Sequence, residues 1–147
     1  RLVKKMCLEF SERVLCGDAA RLRRVFADIR AAGWKVAVRN YGERSFPMAA
    51  LADVAPDAVY MSEATTALLG ERERASAVGA FVRFAAGLGI KVIADGAADD
   101  GQIRELNSSG CFAYMPSPEY HGNQPCTAKE SDLASLVGVI GGVGSAD

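Results

Sequence analysis

Short apolar runs alternate with amphipathic stretches along the chain, and that rhythm predicts its elements. Lys4–Phe10 (KKMCLEF) reads as a short buried strand. Gly17 and Asp18 mark a turn, with Asp18 well placed to cap a helix. Leu22, Val25, Phe26 and Ile29 then recur at helical spacing, while Arg21, Arg23, Arg24, Asp28 and Arg30 supply a solvated face. Gly33 stops that helix, and Trp34–Val38 (WKVAV) is the next strand. Tyr41–Arg44 reads as a loop, and Pro47 suits the first turn of a short helix ending near Val54. Ala58–Met61 (AVYM) is a third strand. A long helical region follows, broken near Gly70, whose second part sets Val78, Phe81, Val82 and Ala85 on one face and closes at Gly87 or Gly89. Ile90–Ala94 (IKVIA) is a fourth strand, Asp99–Asn107 a helix closed by Gly110, and Cys111–Met115 (CFAYM) a fifth strand. Pro116–Ala128 is a loop rich in Pro, Gly and Asn, Leu133–Ile140 a last helix, and the Gly-rich end a frayed tail.

Strands alternating with helices imply an α/β fold with parallel strands joined by right-handed crossovers. The strands are apolar with little alternation, as when both faces are covered. Two architectures fit: an open doubly wound sheet, or part of a β/α barrel. Both place chemistry at the carboxyl ends of the strands. The 147 residues are read as one domain, with 129–147 as a C-terminal helix and flexible tail.

Composition narrows the function classes. Half the residues are apolar and 24% are charged, enough for a real core. Seventeen basic against eighteen acidic side chains leave a net charge of −1, which gives no footprint for a nucleic-acid polymer. The longest apolar stretch, Leu133–Val143, is too short and Gly-rich for membrane insertion. The four cysteines (Cys7, Cys16, Cys111, Cys126) form no C-x-x-C pair, and His121 is the sole histidine. That spacing suits neither zinc nor a disulfide framework and points to a reducing cytoplasm. The chain opens at Arg1 without a methionine, which reads as part of a longer protein. There is no P-loop, and the glycines of 138–144 make no dinucleotide fingerprint, since no strand precedes them.

The residues just past each strand are Glu9 and Glu12, Arg39 and Asn40, Ser62 and Glu63, Asp95 with Asp99 and Asp100, and Tyr114 and Met115. In this order the segments resemble the EAL family of cyclic di-GMP phosphodiesterases, over roughly Leu8 to Pro118. The family's L-E-[IL]-T-E-S looks like Leu8-Glu9-Phe10-Ser11-Glu12-Arg13. Its D-D-F-G looks like Arg39-Asn40-Tyr41-Gly42, and its K-I-D like Tyr60-Met61-Ser62. Its V-A-E-G-V-E-T looks like Ile93-Ala94-Asp95-Gly96-Ala97-Ala98-Asp99, followed by Gln102, and its G-C like Gly110-Cys111. No block is specific by itself; the spacing between blocks carries the likeness.

The resemblance implies the later strands of a TIM-like β/α barrel, about five β-α units, either open or completed by oligomerisation. It also implies a two-metal hydrolytic site for Mg²⁺ or Mn²⁺ ringed by carboxylates. Glu9 matches one metal ligand, Glu12 a residue that steadies the adjoining loop, and Asp95 a shortened ring Glu. The departures are large. Arg39 and Asn40 replace both aspartates of D-D-F-G. Tyr60 and Ser62 replace the lysine and aspartate of K-I-D. Ala98 replaces the second Glu of the A-E-G block, Met115-Pro116 replaces a Q-G, and the Gly42–Pro47 loop has lost its glycine character.

A fixed guanidinium at Arg39 repels a divalent cation and can neutralise Glu9 and Asp95 directly in its place. The sequence therefore predicts an Arg39–Glu9 ion pair, vestigial metal-ring positions at Glu9, Glu12 and Asp95, and no metal cofactor unless the family site survives. The leading expectation is a catalytically inactive signalling or scaffold module. It would work through a protein partner or self-association, with a homodimer covering the open sheet edges. The alternatives are a metal-independent cyclic di-GMP receptor using Arg39, Arg44 and Tyr41, or residual phosphodiesterase activity if a full-length chain completes the barrel. Asp99 and Asp100 read as helix-start residues, His121 as a loop residue, and Tyr41, Phe46 and Tyr114 as aromatics that could stack on a guanine base but more often finish the core.

Overall fold

Five apolar runs become five parallel strands laid side by side in chain order. They are β1 (Cys7–Ser11), β2 (Lys35–Tyr41), β3 (Ala58–Met61), β4 (Lys91–Ala97) and β5 (Ala113–Pro116). The structure, a computed structural model, describes residues 6–122. The expected helix at Leu133–Ile140 and the 129–147 tail lie outside the described residues. The connections are α1 (Ala19–Ala31), α2 (Met48–Val54), α3 (Glu63–Ala67), α4 (Arg72–Gly87) and α5 (Asp100–Ser109), with short 3-10 turns at Glu12–Cys16 and Leu68–Gly70. Among the described residues the sheet is open, with β1 and β5 as its edges.

Local chemistry sets most boundaries. Asp18 accepts from the Ala20 and Arg21 amides at 2.9 and 3.2 Å and so starts α1. Asp99 does the same for α5 through the Gln102 amide at 2.8 Å. Gly110 ends α5 in the left-handed region, at φ 90°, where a side chain would be strained. At the amino end of the sheet, the Asp57 carboxylate accepts from the Val36 amide at 2.9 Å and the Arg30 guanidinium at 3.3 Å. That carboxylate ties α1, β2 and β3 together.

The main core lies between the sheet and its helices. Phe26, Val36, Val38, Leu51, Val59, Val82 and Ile103 are fully buried there. Burial of such side chains stabilises by about 1.5–3 kcal/mol each. The expected inner face of α1 needs one correction: Val25 is 38% exposed. The stripe in contact runs through Leu22, Phe26 and Ile29, and Val25 lies outside it.

Two strands run past their expected ends. β2 continues through Arg39, Asn40 and Tyr41, so Tyr41 is strand rather than loop. Asn40 holds φ 56°, and the pairing with β3 shifts between Val38 and Tyr41. β4 continues to Ala97, with Gly96 at φ 74° and a matching shift against β5. Each bulge inserts one residue and flips the side chains beyond it to the other face. β5 begins at Ala113, two residues later than expected, because Gly110 and Cys111 complete the turn out of α5.

Candidate functional site

The face of the sheet away from the helices is built differently. Ala37, Ala58, Tyr60, Ile93 and Ala113 are buried in a small cluster there, with Cys7 and Phe112 packed against it. Alternation along each strand puts Glu9, Arg39 and Asp95 on the same face, just beyond that cluster toward the carboxyl ends.

Glu9 stands opposite Ala37, so Arg39, two residues further along β2, reaches back to it. Arg39 Nη1 donates to Glu9 Oε2 at 3.1 Å, and Nη2 lies 3.7 Å from Asp95 Oδ2. The ion pair expected between Arg39 and Glu9 is present, and Asp95 is drawn in from two strands away. The guanidinium carbon also sits 4.6 Å from the centre of the Tyr60 ring, a cation–π contact with β3. One arginine thus engages β1, β3 and β4 at once. The bulges at Asn40 and Gly96 immediately follow two of these residues. They end the regular alternation at the level of the cluster.

The electrostatics follow from burial and crowding. Burial works against the Arg39 charge, but the hydrogen bond it donates to Glu9 and the nearby acids outweigh it and raise the pKa above the usual arginine value. Asp95 is raised above the ordinary aspartate value, first by burial, against the lowering effect of Arg39, and further by Glu63 and Glu9. Asp95 is raised although it faces a cation because its contact is the longer one and its carboxylate is the more buried. Tyr60 is raised chiefly by burial. Burial also pushes the Cys7 thiol up to about 11, which keeps it protonated and unreactive at neutral pH.

Glu63 is the participant that the motif comparison gave no role. It opens α3, and its methylenes lie over Gly96: a Cβ there would come within 2.8 Å of Glu63 Cγ. Its position beside Ser62, just past β3, was the available signal. Glu9 and Asp95 therefore share a single guanidinium, and Glu63 adds a third carboxylate whose charge is felt at Asp95.

Glu12 does something different. It is 5% exposed, and its carboxylate accepts from the Gly42 amide at 3.0 Å and the Arg44 amide at 2.9 Å. It fastens the loop after β2 rather than joining the Arg39 cluster. Gly42 itself is closely packed, with Thr65 Oγ1 and the Phe46 ring where a Cβ would stand.

The other marked positions separate. Tyr41 is corrected as a ligand contact: the Asn40 bulge turns it into the helix-side core, fully buried and stacked on Phe81 at 4.8 Å. Arg44 keeps its side chain exposed on the loop. Ser62 is buried and caps α3, accepting from the Thr65 amide at 3.2 Å. Asn40 and Ala98 are exposed, and the Ala98 amide donates to Gln102 Oε1 at 2.9 Å. Met115, opposite Asp95, is 48% exposed. Asp100 accepts from the Tyr120 hydroxyl at 2.7 Å, Tyr114 packs edge-on to Tyr120, and His121 is exposed. Phe46 is 42% exposed rather than part of a finished core. The Arg21, Arg23 and Arg24 face is solvated, as expected.

Among the described residues, no three His, Cys, Asp or Glu side chains come close enough to share a metal ion. Such a set, with a guanidinium between two of its acids, does not fit a divalent cation. No described helix is long and apolar enough to cross a membrane.

The family model for the EAL domain matches residues 2–115. No curated protein sequence matches the chain. Among solved structures, it is similar to the EAL domain of Mycobacterium smegmatis DcpA. That match has a TM-score of 0.67 and 20% identity, covering 90% of this chain and 57% of that one. It is also similar to the PaMucR phosphodiesterase in complex with c-di-GMP, with a TM-score of 0.66 and 18% identity, covering 85% and 49%. A third is a standalone versatile EAL protein from Vibrio cholerae in its c-di-GMP-bound form. Its TM-score is 0.58 at 21% identity, covering 71% and 45%. The likeness is one of fold, and the chain spans about half the length of these solved relatives. Its open five-stranded sheet corresponds to part of their TIM-like barrel.

Proposed function

The chain belongs to the EAL domain family, and from that premise we propose that it is a catalytically inactive member acting as a signalling or scaffold module in cyclic di-GMP-related regulation. The observation that carries this reading is Arg39, whose guanidinium joins Glu9 and Asp95. In the family's motif Arg39 stands at an aspartate position, and Glu9 and Asp95 stand at carboxylate positions of the metal ring. A permanent cation there satisfies both acids and disfavours a divalent ion by repulsion. Without such an ion no hydroxide is generated near neutral pH to attack a phosphodiester. Glu12 still orders the loop after β2, so the frame persists although the reactive centre has been replaced. A cytoplasmic setting belongs to the same reading, since Cys7, Cys16 and Cys111 are free thiols.

The test is direct. The purified chain, supplied with Mn²⁺ and cyclic di-GMP, is expected to release no linear dinucleotide above the buffer rate. Hydrolysis that disappears in Glu9→Gln would refute the proposal.

A metal-independent receptor is the second reading, favoured by the exposed Arg44 on the fastened loop. It is weakened by the burial of Tyr41 and by the two carboxylates already neutralising Arg39. Calorimetry with cyclic di-GMP separates the two: heat that vanishes in Arg44→Ala supports a receptor, and a flat titration removes it.

A further inference from the structure

Leu22, Phe26 and Ile29 turn one side of α1 into the core, and the rest of the helix faces solvent. That solvated side carries Arg21, Arg23 and Arg24, and the 3-10 turn before it adds Arg13; all four are exposed. Among the described residues none of the four lies within ion-pair distance of an acid, whereas Arg30, Arg39 and Arg74 each have a carboxylate partner. The acids nearest in sequence are otherwise engaged. Asp18 accepts from the Ala20 and Arg21 amides, and Glu12 from those of Gly42 and Arg44. Asp28 is the single acid within α1. Positive charge is therefore concentrated on one helix of a chain whose net charge is −1.

We infer that this basic side of α1 is the docking surface for an acidic segment of a protein partner, laid along the helix with its carboxylates on the arginines. Three features select that occupant. All four cations are arginine, whose planar fork pairs with a carboxylate through two parallel hydrogen bonds. Arginine is also enriched at protein interfaces, where lysine is depleted. The second feature is size. With 13 residues, α1 is about 20 Å long, the reach of about six extended residues. A bilayer or a nucleic-acid polymer spreads negative charge over a far larger area, and it would also meet the remainder of a net-acidic chain. The third is Val25, 38% exposed and one helical turn beyond Arg21. It supplies an apolar contact beside the charges, as a protein segment requires and a field of phosphates does not.

The surface is on the helix-covered side of the sheet, opposite the Arg39 cluster, yet the two share a segment. β1 carries Glu9 and runs directly into the turn that holds Glu12 and Arg13. Arg13 follows Glu12, whose carboxylate fastens the loop after β2. A partner paired with Arg13 therefore bears on the stretch that positions both acids. The inference rests on the non-catalytic reading for its purpose, since it names the chemistry of the partner such a module would engage.

Fluorescence anisotropy tests the contact, with the purified chain at low salt and a fluorescein-labelled peptide of repeated Glu-Glu-Leu units. Saturable binding is expected, weakening as salt rises, and a Gln-Gln-Leu peptide should not bind. Arg21→Glu combined with Arg24→Glu should weaken binding by roughly tenfold or more. The same change of charge on α4, Arg72→Glu with Arg74→Glu, should leave it nearly unaltered. Absence of saturable binding overturns the inference. So does an equal loss in the two double variants, which would make net charge rather than α1 the cause. Binding to phosphatidylcholine–phosphatidylserine vesicles that the α1 variant abolishes, without binding of the peptide, overturns the protein partner in favour of a membrane. A flat titration by a chain that also fails to hydrolyse cyclic di-GMP overturns the contact and leaves the non-catalytic reading standing. Saturable peptide binding beside hydrolysis that Glu9→Gln abolishes does the reverse.

Discussion

On the helix-covered face of the sheet, Val36, Val38, Val59, Met61, Val92 and Ala94 meet Phe26, Leu51, Val82 and Ile103 in one continuous apolar layer. On the opposite face the same strands offer Ala37, Ala58, Tyr60, Ile93 and Ala113, then Glu9, Arg39 and Asp95 toward their carboxyl ends. The first face is redundant, since many large side chains share the burial and stability is spread among them. The second is sparse, and its character rests on one arginine. A substitution there alters chemistry while leaving the architecture in place. A chain can therefore retain this fold while the charges on its second face change.

The largest expected effect lies on the apolar face. Phe26→Ala opens a cavity at a fully buried position and should cost about 3–5 kcal/mol by urea denaturation. Next comes Glu12, which fastens the loop after β2. Glu12→Ala orphans the Gly42 and Arg44 amides and should cost about 1.5–3 kcal/mol. Hydrogen exchange should then quicken at residues 42–46 but not in α5. Uniform quickening would show that the loop is not a separate unit.

The smallest stability effect belongs to Arg39. Its side chain is 36% exposed, so Arg39→Gln should change stability by no more than about 1 kcal/mol. A loss as large as that of Phe26→Ala would break the contrast between the faces. The sharper readout is Asp95. Its folded-state pKa is raised, so its contribution to stability is complete below the unfolded value and lost as pH rises through the folded one. Arg39 opposes that rise, and its removal should move the Asp95 carboxyl titration further up, as followed by carbon-13 NMR. A midpoint that stays put would mean the 3.7 Å contact is not felt.

Much of this was legible in the chain because it is locally encoded. Asp18, Asp99 and Gly110 mark helix ends through bonds or angles within a few residues of themselves. The Arg39–Glu9 pair was also within reach, since parallel neighbours joined by one crossover bring successive strand ends together. Asp95 was also expected beside Arg39, but Glu63 was not placed near Asp95 by the sequence, because its approach depends on the bare surface of Gly96. Tyr41 was misread for a related reason. One inserted residue, Asn40, reverses which face the chain presents, and a left-handed asparagine leaves no mark in a hydrophobic pattern.

The sequence by itself therefore determined the order and type of the elements and their caps, since each is a property of short segments. The tertiary structure alone decided that Glu63 lies over Gly96 and acts on Asp95. It also decided that Val25 and Phe46 stay exposed while Tyr41 is buried. Those outcomes depend on register, bulges and the packing of elements far apart in the chain, where no single segment holds the information.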